Sequence, residues 1–322
     1  VIPKLRVKSH IHYGHHRSGW DFAIQSIACL NSEDEDAILL NTVVDRDFAE
    51  IFPSARKEDR SSYQRPWAGF IHVPPGVPEW LEYQKSPEYY FQLPEWKKSL
   101  PHCRGLMTLS RDLRDWVSEH APGIPVLALH HPTEMPEKGF DFEAYLRHGE
   151  AVVQVGWWLR RLSSIHFLPL PRQRKHLLIP FPESERPRFE TALQADRART
   201  NAPPLEQWEA TIHPRVPNDA YDELLSRSIV FLDLYVAAAN NAVIECMVRR
   251  TPILTRNLPA TREYLGEDYP LFFDSLEEAA SKAADASLVL KTHEYLRAKD
   301  LSFLSGESFC RNLAESSMYQ SW

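Results

Sequence analysis

The apolar residues of this chain fall into short blocks separated by longer stretches with helical spacing, the pattern of parallel strands covered by helices. In the first half, strands are predicted at "LRVKSHIHY", "AILLNTVV", "GFIHV", "GLMTL" and "VLALH". Between the last two, "SRDLRDWVSEHAPG" makes Ser110 the cap of a helix that shows Leu113, Trp116 and Val117 to the sheet, ended by Gly123 and Pro125. The segment from Pro132 to Glu150 is polar and unperiodic and reads as a linker. Six further strands follow, at "AVVQV", "HLLIPF", "ATIHP", "SIVFLDL", "PILT" and "PLFF". "DSLEEAASKAADASLVL" reads as helical, with an Asp-Ser cap and an acidic first turn, and the chain closes in helices from residue 292 onward.

The 322 residues exceed what one core usually needs, so two α/β domains are expected, each a doubly wound parallel sheet, facing a cleft. The pattern divides them as 1–140 and 141–305, with a closing helix over 306–322. Lys and Arg number 37 against 44 Asp and Glu, a net charge of -7, which leaves no basic footprint for nucleic acid or an anionic membrane. Small-molecule or protein partners are the expectation. Cys29, Cys103, Cys246 and Cys310 show no CxxC spacing, which suits a reducing, cytoplasmic setting. No run of about 18 apolar residues and no signal-peptide pattern is present, so the sequence reads as a soluble chain. Neither GxGxxG nor GxxxxGK[ST] occurs.

In open parallel sheets ligands sit beyond the carboxyl ends of the strands, so residues that follow strands carry the candidate chemistry. After "AVVQV" comes "GWWLRRLSSIH", where Gly156 permits close backbone approach and Arg160 and Arg161 can clamp a diphosphate. After "SIVFLDLY" comes "VAAANNAVIECMVRR", where Asn240 and Asn241 begin a helix whose amino terminus suits an anion. Glu245 stands one turn into that helix among Ala242, Val243, Ile244, Cys246, Met247 and Val248, where a lone charge is costly. Helical side chains lean toward the amino end, which aims this carboxylate at the strand ends, where it can accept hydroxyl hydrogen bonds from a ribose. The structural alternative is pairing with Arg249 or Arg250.

"NNAVIECMVRRTPILTRNLPATREYLG" resembles the donor-binding segment of GT-B glycosyltransferases of the retaining, glycogen-synthase-like type. "RGLMTLSRDLRDWVSEHAPGIPVLALHHPTE" is similar to the end of their amino-terminal domain. The resemblance implies two Rossmann-like domains, Glu245 on the donor ribose, Arg160 or Arg161 near the diphosphate, and backbone groups near Val216 bordering the base. It also implies transfer from a nucleotide-sugar donor to a glycan, protein or small-molecule acceptor, with retention, no metal and no other cofactor. Ala237 stands where these enzymes commonly carry a second glutamate, and Trp157 where an arginine directly follows the strand glycine.

In such an enzyme the loop "SHIHYGHHRSGW" faces the cleft, so His15, His16, Arg17 and Ser18 are candidates for phosphate or acceptor contact, with His16 as the proton-moving residue. His72 and His131, each just after a strand, are further candidates. "VVDRD", with Asp45 and Asp47, is similar to the metal-binding DxD of the other glycosyltransferase architecture but reads here as a solvated loop. The aromatic stretch holding Trp80, Tyr83, Tyr89, Tyr90 and Trp96 can stack on an acceptor or pack under a loop. Two rivals stand beside sugar transfer: a noncatalytic nucleotide- or sugar-binding module, and a metallohydrolase using His10 and His12.

Overall fold

The structure, a computed structural model, describes residues 2–8, 19–54, 62–182, 184 and 186–322. Among the described residues eleven parallel strands form two sheets. The first has the order β1 (Leu5–Val7), β2 (Ile38–Asn41), β3 (Trp67–Ile71), β4 (Cys103–Thr108), β5 (Val126–Ala128). The second has the order β11 (Phe272–Phe273), β10 (Ile253–Arg256), β9 (Ile229–Leu232), β6 (Val152–Gln154), β7 (Lys175–Leu178), β8 (Thr211–His213). Each overlaps a strand predicted from the sequence, and β3, β4, β7 and β10 extend one or two residues beyond the predicted blocks.

Packing divides the chain into two units. One comprises Val1–Glu134, Val236–Ala239 and Ser302–Trp322, and the other Met135–Tyr235 and Asn240–Leu301. In the first unit, alternation along the strands builds a core on each face of the sheet. Leu40, Ala68, Phe70 and Met107 join Trp20, Ala23, Ile24 and Ile27, together with Phe309, Leu313, Met318 and Tyr319 from the end of the chain. Trp67, Ile71 and Leu106 join Phe48, Phe52, Tyr63, Tyr90, Trp96, Leu113 and Val117 on the other face. Leu113 and Val117 lie four apart on the Arg111–His120 helix, which Ser110 caps by accepting from the Leu113 amide at 3.3 Å. Tyr90 and Trp96 of the aromatic stretch are thus core residues, whereas Tyr89 keeps 42% exposure.

Three sequence readings are corrected. The supposed linker carries a helix, Phe142–Arg147, capped by Asp141, with Tyr145 fully buried. The amides of Phe140 and Asp141 bond the carbonyls of Arg249 and Ser226 at 2.8 Å each, so aromatic burial turns a polar stretch into a packed element. "DSLEEAASKAADASLVL" breaks at Asp285, which ends Leu276–Ala284 and caps Ala286–Ala298 by accepting from the Ser287 and Leu288 amides. Ser275 caps the first of these helices.

Asp45 and Asp47 are buried, not solvated. Asp45 accepts from the His72 amide at 2.8 Å, the Val73 amide at 3.3 Å and the Tyr90 hydroxyl at 3.2 Å, closing the end of β3. Asp47 accepts from Lys8, Tyr63 and Asn41. Among the described residues no group of three or more His, Cys, Asp or Glu is arranged to hold a metal, and no helix is long and apolar enough to cross a membrane.

Burial raises the Asp45 carboxyl to about 7, against hydrogen bonds that favour its charge, and burial lowers His72 to about 4. The stability that Asp45 lends is full below its ordinary value of 3.8 and is lost as pH rises to 7. That lent by the neutral His72 ring is full above 6.5 and is lost as pH falls to 4, so the two oppose each other in between. In Asp45→Asn only the histidine contribution survives. The melting temperature of the variant should climb more steeply than that of the parent between pH 4 and 6.5, a difference of about one proton taken up on folding, read from Tm against pH.

Candidate functional site

In the second sheet the chain runs outward from β6 to β7 and β8 on one side, and from β9 to β10 and β11 on the other. The reversal lies between β6 and β9, the place where open α/β sheets leave a crevice at their carboxyl ends. The loops leaving these two strands are the ones that carry Gly156 to Arg161 and Asp233 to Asn241. They are tied together by backbone: the Arg161 amide donates to the Asp233 carbonyl at 2.8 Å and the Tyr235 amide to the Leu159 carbonyl at 3.0 Å.

Asp233, 2% exposed, organises the cations. Its Oδ1 accepts from Arg256 Nε at 2.8 Å and lies 3.4 Å from Arg161 Nε, while Oδ2 accepts from Ser164 Oγ at 2.6 Å. Two guanidinium groups therefore share one carboxylate at the ends of β6, β9 and β10, leaving a surplus positive charge. Arg161 also lies over the Tyr235 ring at 4.1 Å and Arg256 over the Phe273 ring at 5.0 Å, which fixes their planes. Arg256 was missed in the sequence. As the last residue of β10 it satisfies the same rule, position at a strand end, that selects Arg160 and Arg161.

Arg160 is held differently. Its guanidinium folds onto the backbone of Gly156, whose φ is +74°; a Cβ there would be strained and would meet Arg160 Cζ and Nη2 at 2.6 Å, displacing the guanidinium from this position. Nη1 donates to the Trp158 carbonyl at 2.7 Å and Nη2 reaches Asn240 Oδ1 at 3.5 Å. Burial pulls this guanidinium down to about 10, and it stays charged at neutral pH. Among the described residues none pairs with its Nε or with the Trp158 indole Nε1, both of which are buried.

Asn240 caps the Asn241–Arg249 helix, its Oδ1 accepting from the Ala242 amide at 3.1 Å, and Asn241 is half-buried at the first turn. Glu245, 7% exposed, has its Oε2 fixed by the Tyr221 hydroxyl at 2.8 Å. Among the described residues none donates to Oε1 of Glu245. Burial raises the carboxyl above its ordinary value; the Arg249 charge and the Tyr221 hydrogen bond pull the other way, and Arg160 adds to that pull. Arg249 turns inward, donating to the Glu245 backbone carbonyl at 3.1 Å and to Asp222 Oδ1 at 2.7 Å. The direct partner of the Glu245 carboxylate is thus Tyr221, not Arg249 or Arg250. Val216 lies in the loop after β8, at the edge of the sheet and two strands from β6.

In the first unit His72 and His131 come together around Trp20, with ring centroids at 4.3 and 5.6 Å. His72 Nε2–H donates to the Thr42 carbonyl at 2.9 Å, and His131 Nδ1–H to the Pro132 carbonyl at 2.7 Å. The segment with His10, His12, His15, His16, Arg17 and Ser18 lies outside the described residues. Ala237, at the position of the second glutamate, belongs to the four-residue segment that packs with the first unit, where Ala238 joins the core.

Two parallel α/β domains, with five and six strands among the described residues, define the GT-B fold, and the solved structures that match the chain include glycosyltransferases of this fold. The trehalose-6-phosphate synthase of Burkholderia multivorans is 15% identical at a TM-score of 0.55, over 96% of this chain and 76% of its own. A glycosyltransferase of Rickettsia africae is 12% identical at 0.54, over 98% and 97%. Another trehalose-6-phosphate synthase structure, from work on glycosyl transfer with retention, is 12% identical at 0.53, over 95% and 80%. No family model and no curated protein matches the sequence.

Replacing Arg249 by Met removes the buried cation facing Asp222, and breaking a buried pair from one side costs about 3–5 kcal/mol. The variant should lose that much in urea unfolding, whereas an exposed pair such as Arg186 with Glu190 should register under about 1 kcal/mol when broken.

Proposed function

We propose that the protein is a glycosyltransferase that takes a sugar from a nucleotide-sugar donor and passes it, with retention, to a hydroxyl-bearing acceptor. The observation that supports this most is the gathering of Arg160, Arg161, Arg256 and the start of the Asn241–Arg249 helix where the second sheet reverses, with Glu245 a turn away on that helix. Leaving-group departure from a nucleotide sugar builds negative charge on a diphosphate. Fixed cations and a helix amino terminus oppose that charge without metal or other cofactor.

In this scheme Arg161 and Arg256 bind the diphosphate from the Asp233 side. Arg160 Nε and Trp158 Nε1 gain acceptors they now lack, Gly156 lets the phosphates approach the backbone, and Asn240 and Asn241 present the helix start. Glu245, anchored through Oε2, offers Oε1 to a ribose hydroxyl. Backbone near Val216 borders the base, and His16 is assigned the proton transfer, with His15, Arg17, Ser18, His72 and His131 toward phosphate or acceptor. Retention rests on the resemblance to the retaining enzymes.

Ala237 favours one alternative, a module that binds the nucleotide sugar without transferring it, since a contact to the sugar is missing there. Donor hydrolysis measured beside calorimetry separates the two: binding without turnover over a panel of donors selects the module.

A thermal-shift screen with nucleoside diphosphates tests the shared premise. A hundredfold excess over Kd stabilises by about 2.7 kcal/mol, and a flat response to every base would remove the proposal. In calorimetry Glu245→Ala should weaken the responding nucleotide by roughly 1–3 kcal/mol through lost hydroxyl bonds. Arg256→Ala should narrow the affinity gap between that diphosphate and its free nucleoside, leaving nucleoside binding in place.

A further inference from the structure

Cys29, in the 3₁₀ turn Ala28–Leu30 that follows the Gly19–Ser26 helix, and Cys310, in the Gly306–Ala314 helix, are 281 positions apart in sequence with their sulfurs at 3.4 Å. All four cysteines are free thiols, and these two are the ones that reach solvent. Cys103 and Cys246 are buried, and burial raises both thiols, Cys103 to about 12.

The surroundings hold the pair in place. Gly306 lies directly against the Ser26 side chain and within 3.4 Å of Phe22 as measured from a Cβ built on it, so a larger residue there would push the two helices apart. Phe309, Leu313, Ala23 and Ile27 share one core beneath the sulfurs. Lys4 donates to the carbonyls of Tyr319 and Gln320, and the Tyr319 hydroxyl to that of Ile2, which ties the last helix to the first strand.

We propose that Cys29 and Cys310 form a site of reversible thiol oxidation, at which a small disulfide such as oxidised glutathione closes a covalent clasp between the two ends of the chain. The exposed Cys29 thiolate attacks a glutathione sulfur, forming the mixed disulfide and expelling one glutathione thiolate. Cys310, whose thiol burial and the neighbouring Cys29 push up to about 11, is the resolving group. Its thiolate attacks the Cys29 sulfur, the mixed disulfide breaks, and the second glutathione leaves. Two protein thiols lose two electrons, the glutathione disulfide gains them, and the two protons pass to the released thiolates. The sulfurs close from 3.4 Å to the about 2.05 Å of the bond. A cross-link over so long a span restrains the unfolded chain more than a short one does.

The test is incubation of the full chain with oxidised glutathione, followed by thiol titration in denaturant, peptide mapping and thermal melting. Expected are a fall from four titratable thiols to two, a peptide joining Cys29 to Cys310 in monomeric protein, and a Tm rise on the order of 5 °C. Dithiothreitol should reverse the rise, and Cys29→Ser and Cys310→Ser should each abolish it. Four surviving thiols, glutathione persisting on Cys29, or a disulfide between two chains would each overturn the proposal. The parent chain alone decides these outcomes, so a variant that fails to fold leaves the test intact.

Discussion

The second unit is organised around one buried carboxylate. Asp233 leaves β9 at the reversal of strand order and sits almost out of contact with water, where an unpaired charge would be prohibitive. Arg161 and Ser164, three residues apart after β6, and Arg256 at the end of β10 satisfy it. Its demand for donors therefore fixes the loop after β6 and the end of β10 relative to β9. With two guanidinium groups on one carboxylate, the arrangement carries a positive charge that a closed one-to-one ion pair would not.

Glu245 illustrates a second level of the same logic. Its carboxylate is one-sided: Tyr221 secures one oxygen, while Arg249, the obvious counter-ion, spends its hydrogen bonds on a backbone carbonyl and on Asp222. Burial raises its pKa while the nearby guanidinium charges restrain that rise. A helix that carried Arg249 outward would have paired Glu245 differently, and nothing in a one-dimensional pattern distinguishes the two.

What could be read in the sequence follows from this difference. Parallel strands buried on both faces announce themselves as apolar blocks, so each of the eleven described strands overlaps one, and Ser110 and Asn240 declared their caps through residue type and spacing. Asp45 and Asp47 looked like a wet loop because their donors, His72, Val73, Tyr90, Lys8, Tyr63 and Asn41, come from elsewhere in the chain. The Phe142–Arg147 helix was hidden because two apolar residues, Phe140 and Tyr145, suffice to dock a six-residue element. Arg256 also ends a strand, but no glycine or second arginine beside it marks the position in the sequence. Local rules found the elements; tertiary partners decided which polar groups are buried.

Phe309, Leu313, Met318 and Tyr319 complete a core whose other members begin at Leu5. During synthesis the second unit is whole once Leu301 has emerged, while the first still lacks one wall of its interior. The usual order, in which the amino-terminal domain matures first on the ribosome, is closed to this topology. Until residues 302–322 have emerged, a half-covered sheet with exposed Phe70 and Met107 must wait for its lid, and that interval is where the nascent chain is most open to aggregation and to chaperones.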